Sequence, residues 1–140
     1  MEPNVIGAMT GLFKRVDHTA IVVSDMDEAL SRWQALTGIH VETRELVSHQ
    51  RVEISMLTAG DTRIELIRPT DDESGVARFL AKRGESLHHV AFEVHDIRGA
   101  LASLRTAGYE LIDSQPRPGA HGLIAFIHPR STGGVLVELV

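Results

Sequence analysis

Two kinds of side chain able to do chemistry occur in this chain as matched pairs. The run DHTAIVVSDMDEAL from Asp17 returns as HHVAFEVHDIRGAL from His88, so that His18 matches His89, Ala20 matches Ala91 and Asp25 matches Asp96. Towards the end of each half, Ile64-Glu65-Leu66 matches Val137-Glu138-Leu139. A lone histidine in a strand is ordinarily a satisfied structural residue. An acid between apolar neighbours, however, is costly to bury without a partner, and here both types are duplicated in register. If the halves are related by a pseudo-twofold axis, matched residues on inward faces converge, and two imidazoles with two carboxylates suit a divalent transition ion. Such a set leaves about two positions of a six-coordinate ion open for a substrate bearing two neighbouring oxygens. An ion on a carbonyl oxygen stabilises the charge left when the adjacent C–H loses its proton, which is enolate chemistry.

These donors must be positioned by repeated elements. Residues 16–23 and 87–94 are short runs with the β-branched and aromatic content of strands. The first is followed by Asp25 as N-cap, Met26, Leu30, Trp33 and Leu36 at helical spacing, and Gly38 as the stop. The second is followed by Asp96 as cap, Ile97, Leu101 and Leu104 as the apolar stripe, and Gly108. Strand-like runs come next at 39–45, 51–58 and 62–68 in the first half, and at 109–113, 123–128 and 134–139 in the second. A helix over 72–83, closed by Gly84 and carrying Val76, Phe79 and Leu80 on one face, joins them. The expected fold class is α+β: tandem βαβββ modules, about 13–69 and 87–140, forming a cupped, mostly antiparallel sheet around a metal site, with residues 1–12 as an N-terminal tail. With 140 residues, 43% of them hydrophobic, the chain fits a single domain.

A base must reach the acidified carbon, and Glu53 is the candidate. The pairing of 51–58 with 62–68 decides whether it can. A three-residue loop at 59–61 pairs residue 55 with 65 and puts Glu53 on the face of Glu65; a two-residue loop at 60–61 turns Glu53 outward. The apolar alternation of Val52-Glu53-Ile54-Ser55-Met56 favours the first. The other reading of Glu53 is an edge-strand acid in solvent. Among the remaining histidines, His40, His49 and His95 read as surface residues, His88 faces away from His89, and His128 before Pro129 reads as a turn residue.

Composition removes other chemistries. A net charge of −5 gives no global support to a nucleic-acid surface. The absence of cysteine removes disulfides, thiolate metal sites and cysteine nucleophiles. No apolar run approaches the ~20 residues that span a bilayer, and Met1 to Leu12 lacks the order of a signal peptide, so a cytoplasmic location with no membrane partner is expected.

The tandem repeat with donors on matched strands resembles the vicinal oxygen chelate superfamily, and within it the methylmalonyl-CoA epimerases. The motifs that carry this are DHTAIVV at 17–23, IELIRP at 64–69, DESGVARFLAK at 72–82, LHHVAFEV at 87–94, PRPGAHG at 116–122 and HPRSTGGVLVEL at 128–139. The resemblance implies that His18, Glu65, His89 and Glu138 bind a divalent ion, cobalt first, with manganese, nickel or zinc as alternatives. It implies an acyl-CoA substrate, methylmalonyl-CoA or a close homologue such as ethylmalonyl-CoA, whose α-carbon is inverted through a metal-stabilised enolate. It also implies a homodimer. A strand glutamate is implied as one proton-transfer group and the acid near the C-terminus, Glu138, as its counterpart. Here the chain departs from the pattern: Ile54 stands where such epimerases place that glutamate, and Glu53 is one residue early. The loop ending at Ala125 is also one residue shorter than the usual pattern.

His121 in Gly119-Ala120-His121-Gly122 is a candidate substrate contact, the alternative being a simple hairpin turn. Ser131 and Gly133 are read as a tight turn first and as oxyanion contacts second. Arg63, Arg68, Arg117 and Arg130 are candidates for the CoA phosphates, with nothing to choose among them. Competing functions are a glyoxalase-type lyase with the same ligand set, acting on a thiol hemiacetal, and a non-catalytic small-molecule-binding module of the same fold, which typically lacks the metal. A ring-cleaving dioxygenase would use two histidines and only one carboxylate.

Overall fold

The computed structural model describes residues 11–140, so most of the expected tail, residues 1–10, lies outside the described residues. The secondary structure follows the repeat. The first copy runs β1 (Phe13–Val22), α1 (Met26–Thr37), β2 (Val41–Val47), β3 (Val52–Ala59) and β4 (Thr62–Pro69). A connecting helix α2 (Gly75–Arg83) leads to β5 (Ser86–Val94), α3 (Ile97–Thr106), β6 (Arg117–Pro118), β7 (Leu123–Ile127) and β8 (Val137–Leu139). This is the tandem βαβββ class expected from the sequence. In the first copy the strand order is β2-β3-β4-β1, and in the second β5-β8-β7-β6. The first and last strands of each copy pair in parallel, β1 with β4 and β5 with β8, and the other described pairings within each copy are antiparallel.

Two compact units result, one from His18 to His88 and one joining the segment up to Asp17 to His89–Val140. The start of β1 thus belongs with the second copy rather than the first. Phe13 packs edge-on against Phe92 with ring centroids 5.5 Å apart, Lys14 and Arg15 both pair with Glu93, and His95 N–H donates to Leu12 O.

Each unit has its own core. Under α1, Val23, Met26, Ala29 and Leu30 pack with Leu57 and Leu66; under α3, Val94, Ala100, Leu101 and Leu104 pack with Ala125, Ile127 and Leu139. Several boundaries differ from the sequence expectation. Leu36 is 73% exposed, because α1 turns its last residues away from the core. Strand β2 begins two residues later than expected. Residues 109–113 contribute only an isolated bridge, Leu111 to Ile127. Helix α2 starts at Gly75 because Asp71 accepts the N–H groups of Glu73 and Ser74, and Ser74 then caps the helix at Ala77 N.

The matched caps have diverged. Asp25 accepts the Glu28 N–H at 3.0 Å, whereas Asp96 makes no side-chain cap bond to its helix. Asp25→Ala is therefore expected to lower unfolding free energy by about 1 kcal/mol in urea titrations and Asp96→Ala by less than half as much.

Candidate active site

Each unit builds one buried histidine–glutamate pair by the same device. In the first, β1 and β4 run parallel with Ala20 opposite Glu65. Residues two apart on a strand share a face, so His18 lies on the side of Glu65, and small Ala20 between them leaves room for the imidazole to lean over. His18 Nε2 stands 3.7 Å from Glu65 Oε2, and both residues are buried. In the second unit Ala91 stands opposite Glu138, His89 lies on the same face, and Nε2 to Oε2 is 3.4 Å, again with both residues buried.

Both gaps exceed the 2.7–3.2 Å of a good N–H···O bond. The 3.4 Å gap falls within the spacing of about 3.0–3.5 Å between neighbouring ligand atoms that are each ~2.1 Å from one ion, and the 3.7 Å gap lies just beyond it. Imidazole nitrogen with carboxylate oxygen is also a donor set that first-row divalent ions accept. Each pair therefore offers one nitrogen and one oxygen donor that could hold a divalent ion.

The face of β3 is where sequence expectation fails. The β3–β4 hairpin pairs Ala59 with Thr62 and Met56 with Glu65, so the loop has two residues, Gly60 and Asp61. Gly60, at φ 66°, occupies the first loop position, where tight primed turns place glycine. The residues sharing the Glu65 face are consequently Ile54, Met56 and Thr58, and Glu53 points to the opposite side. The alternation misled because β3 is buried on both faces: Ile54 and Met56 on one, Ser55 and Leu57 on the other, are all at most 3% exposed.

Glu53 is held there by two arginines, Arg68 Nε at 3.0 Å and Arg44 Nε at 3.2 Å, while Arg44 also reaches Asp27 at 2.6 Å. Burial pushes the Glu53 carboxyl up, but these hydrogen bonds and charges outweigh it and hold the group below the usual carboxylate range. An acid so paired, and so turned, is a structural anchor and not the expected base.

The other sequence candidates are placed as follows. His121 is exposed in a tight loop closed by Gly119 N–H to Gly122 O. A Cβ on Gly119 would come within 2.5 Å of the Ile124 side chain, so glycine is required there. Ser131 Oγ accepts the Glu110 N–H at 2.8 Å, and Gly133 (φ 68°) turns the chain beside it. Arg68 pairs with Glu53, Arg117 with Asp113 and Arg130 with Glu110, and Arg63 stands opposite His18 on the face of Glu65. His88 packs edge-on against Phe79, away from His89. Phe126, absent from the sequence candidates, pairs with Glu138 across β7–β8 and stacks its edge on the His89 ring at 5.6 Å. The repeat could have signalled it, since Met56 takes the same place beside Glu65.

A tandem βαβββ chain with a buried His–Glu pair in each copy defines a class of small two-module proteins whose paired donors could hold a metal ion. Residues 17–126 match the Glyoxalase/Bleomycin resistance protein/Dioxygenase superfamily, and the chain belongs to that family. It is 41% identical over 126 residues to an uncharacterized protein of Bacillus subtilis, covering 89% of this chain and 90% of that one. It is 35% identical over 128 residues to the ethylmalonyl-CoA/methylmalonyl-CoA epimerase of Cereibacter sphaeroides, covering 89% and 96%. A solved methylmalonyl-CoA epimerase in complex with methylmalonyl-CoA and ammonium superposes with a TM-score of 0.85 at 34% identity, covering 91% of this chain and 93% of that one.

The pairing of Glu53 gives a signed expectation. A carboxyl whose folded pKa is depressed contributes stability above its unfolded pKa and loses it as pH falls through the folded value. Glu53→Gln is therefore expected to be less stable than the parent at pH 7, with the difference fading as pH drops below about 4.5, the ordinary glutamate value, in urea melts across that range.

Proposed function

We propose that the protein is a metal-dependent epimerase that inverts the α-carbon of methylmalonyl-CoA or a close homologue such as ethylmalonyl-CoA. The observation that carries this is the buried His–Glu pair repeated in both copies on an identical Ala-opposite-Glu register. The epimerase relatives at about a third identity supply the substrate class. In this reading His18, Glu65, His89 and Glu138 hold one divalent ion, cobalt by preference, with manganese, nickel or zinc as alternatives. The ion, when bound, draws electron density from the thioester and carboxylate oxygens and acidifies the C–H between them.

The chain's own residues do the rest. On the Glu65 face, Val22, Ile67 and Ile54 form a buried apolar row that keeps water from the reacting carbon and accepts its alkyl substituent. Glu138 serves one face of that carbon as proton carrier. His121, on its exposed loop, meets the acyl-CoA, with Ser131 and Gly133 as further contacts, and the two copies act as one domain in a homodimer. The anionic CoA substrate makes nucleic acid an unneeded partner. Among the described residues no helix is long and apolar enough to cross a membrane, and a cytoplasmic site of action is proposed on the nature of the substrate.

The test is exchange of the α-proton of methylmalonyl-CoA in heavy water, followed by NMR. Cobalt-loaded protein is expected to exchange it, chelated protein to lose at least 100-fold of the rate, and Glu65→Gln to retain less than a tenth of the cobalt by elemental analysis. Absence of exchange by protein with cobalt bound would overturn the epimerase and direct attention to a thiol-hemiacetal substrate.

A further inference from the structure

With Glu53 turned away, the proposed epimerase lacks an acid on β3 for the second face of the α-carbon. The register of the neighbouring strand supplies one. In the β2–β3 pairing Glu45 stands opposite Ile54, Thr43 opposite Met56 and Val47 opposite Val52. Since cross-strand partners share a face, Glu45 lies on the side of Glu65, at the end of the row Val22–Ile67–Ile54–Glu45. Burial along β2 agrees: Thr43 and Glu45 are half-buried and Val47 is buried, whereas Glu42, Arg44 and Leu46 are exposed. Arg44 fixes the sense by reaching Asp27 and Glu53 on the opposite side.

Glu42, exposed beside the irregularity between Val41 and Thr43, and Glu53, opposite Leu46 and Arg68, do not share that face. Glu45 is two strands from Glu65 and one same-face row further along, about 10 Å across the sheet and ~7 Å along it, or roughly 12 Å between backbones. Two glutamate side chains rising from one face at that separation leave between them the span of a small chelated acyl group.

We infer that Glu45 is the proton-transfer residue of the first module, reaching across the apolar row to the α-carbon. This rests on the proposed epimerase reading and deepens it. The α C–H bond breaks and its proton goes to a Glu45 carboxylate oxygen, while the bonding pair delocalises onto the thioester oxygen. The new C–H bond forms on the opposite face with the proton carried by Glu138. Both carboxyls then return to their starting states by exchange with water, so nothing is oxidised or reduced. The Ile54 position, apolar here, then serves as the wall against which the Glu45 carboxylate approaches the carbon.

The experiment compares the parent with Glu45→Gln and Glu45→Asp, all cobalt-loaded, using each epimer of methylmalonyl-CoA separately in heavy water. Glu45→Gln is expected to lose at least 100-fold in kcat, as removal of a general base does, with KM, calorimetric substrate affinity and cobalt content within threefold of the parent. Exchange is expected to survive better from one epimer than from the other. Glu45→Asp keeps the charge and shortens the reach, and is expected to lose about tenfold in kcat with the acid limb of the pH profile preserved. Exchange by Glu45→Gln within threefold of an active parent, or a loss matched by equal loss of substrate affinity, overturns the assignment alone. A parent that binds cobalt yet exchanges neither epimer overturns the epimerase reading and this residue's role with it.

Discussion

The structure depends on burying two carboxylates inside apolar strands. Glu65 and Glu138 are each less than a tenth exposed, and a carboxylate so placed requires compensation from partners or from an ion. The answer in both copies is geometric. A parallel pairing sets alanine opposite glutamate, and the histidine one pleat away reaches over the vacated space. Replacing either alanine by a larger residue would fill that space and separate the pair without touching either donor. The alanines, which carry no chemistry, are in this sense as much part of the site as the residues that do.

The same constraint explains why neighbouring residues of β3 have such different fates. Once the pleat is fixed by Met56 opposite Glu65, every odd position of the strand is committed to the helix side and every even one to the Glu65 side. Glu53 on the helix side becomes a tether among Arg44, Arg68 and Asp27, tying β2, β3, β4 and the first turn of α1 together. Ile54 on the other side becomes part of an apolar surface. A shift of one residue in the turn would exchange the two roles, so the conformation of Gly60 reaches well beyond the hairpin.

Much of this was legible in the sequence because the repeat provides an internal control. Matching Asp17–Leu30 to His88–Leu101 located both first strands and both helices, and matching Glu65 to Glu138 located the last strand of each copy. What the repeat could not supply was the register of a strand buried on both sides: Val52-Glu53-Ile54-Ser55-Met56-Leu57 has apolar residues at both parities from Ile54 onward, so its alternation has no unique phase. The second copy was legible only in part for a related reason. Its residues 109–113 have strand composition but make a single bridge: the Ile112 and Asp113 N–H groups both donate to Phe126 O and His128 N–H donates to Glu110 O, so the segment follows β7 without forming a regular ladder. Helix ends were misplaced where side chains, such as Asp71 and Ser74, compete for the first backbone donors.

Duplication alone would make the surroundings of the two pairs equivalent, and the structure shows that they are not. Beside Glu65 the next strand offers Met56, with Thr43 beyond it and the Ile54–Glu45 row alongside. Beside Glu138 it offers Phe126, whose ring braces His89 on one side and lies under the Arg117 guanidinium at 5.3 Å. The donors were kept and their flanks diverged. A substrate with unlike ends, a thioester joined to a long anionic carrier and a free carboxylate, needs such inequality to bind in one orientation. An aromatic brace with a cation above it can stiffen the His89 imidazole and present positive charge nearby, while Glu65 is flanked instead by an adaptable methionine and an apolar row. On the proposed reading, the divergence between the copies therefore gives each ligand pair its own flank, which is the inequality that an unsymmetrical substrate needs.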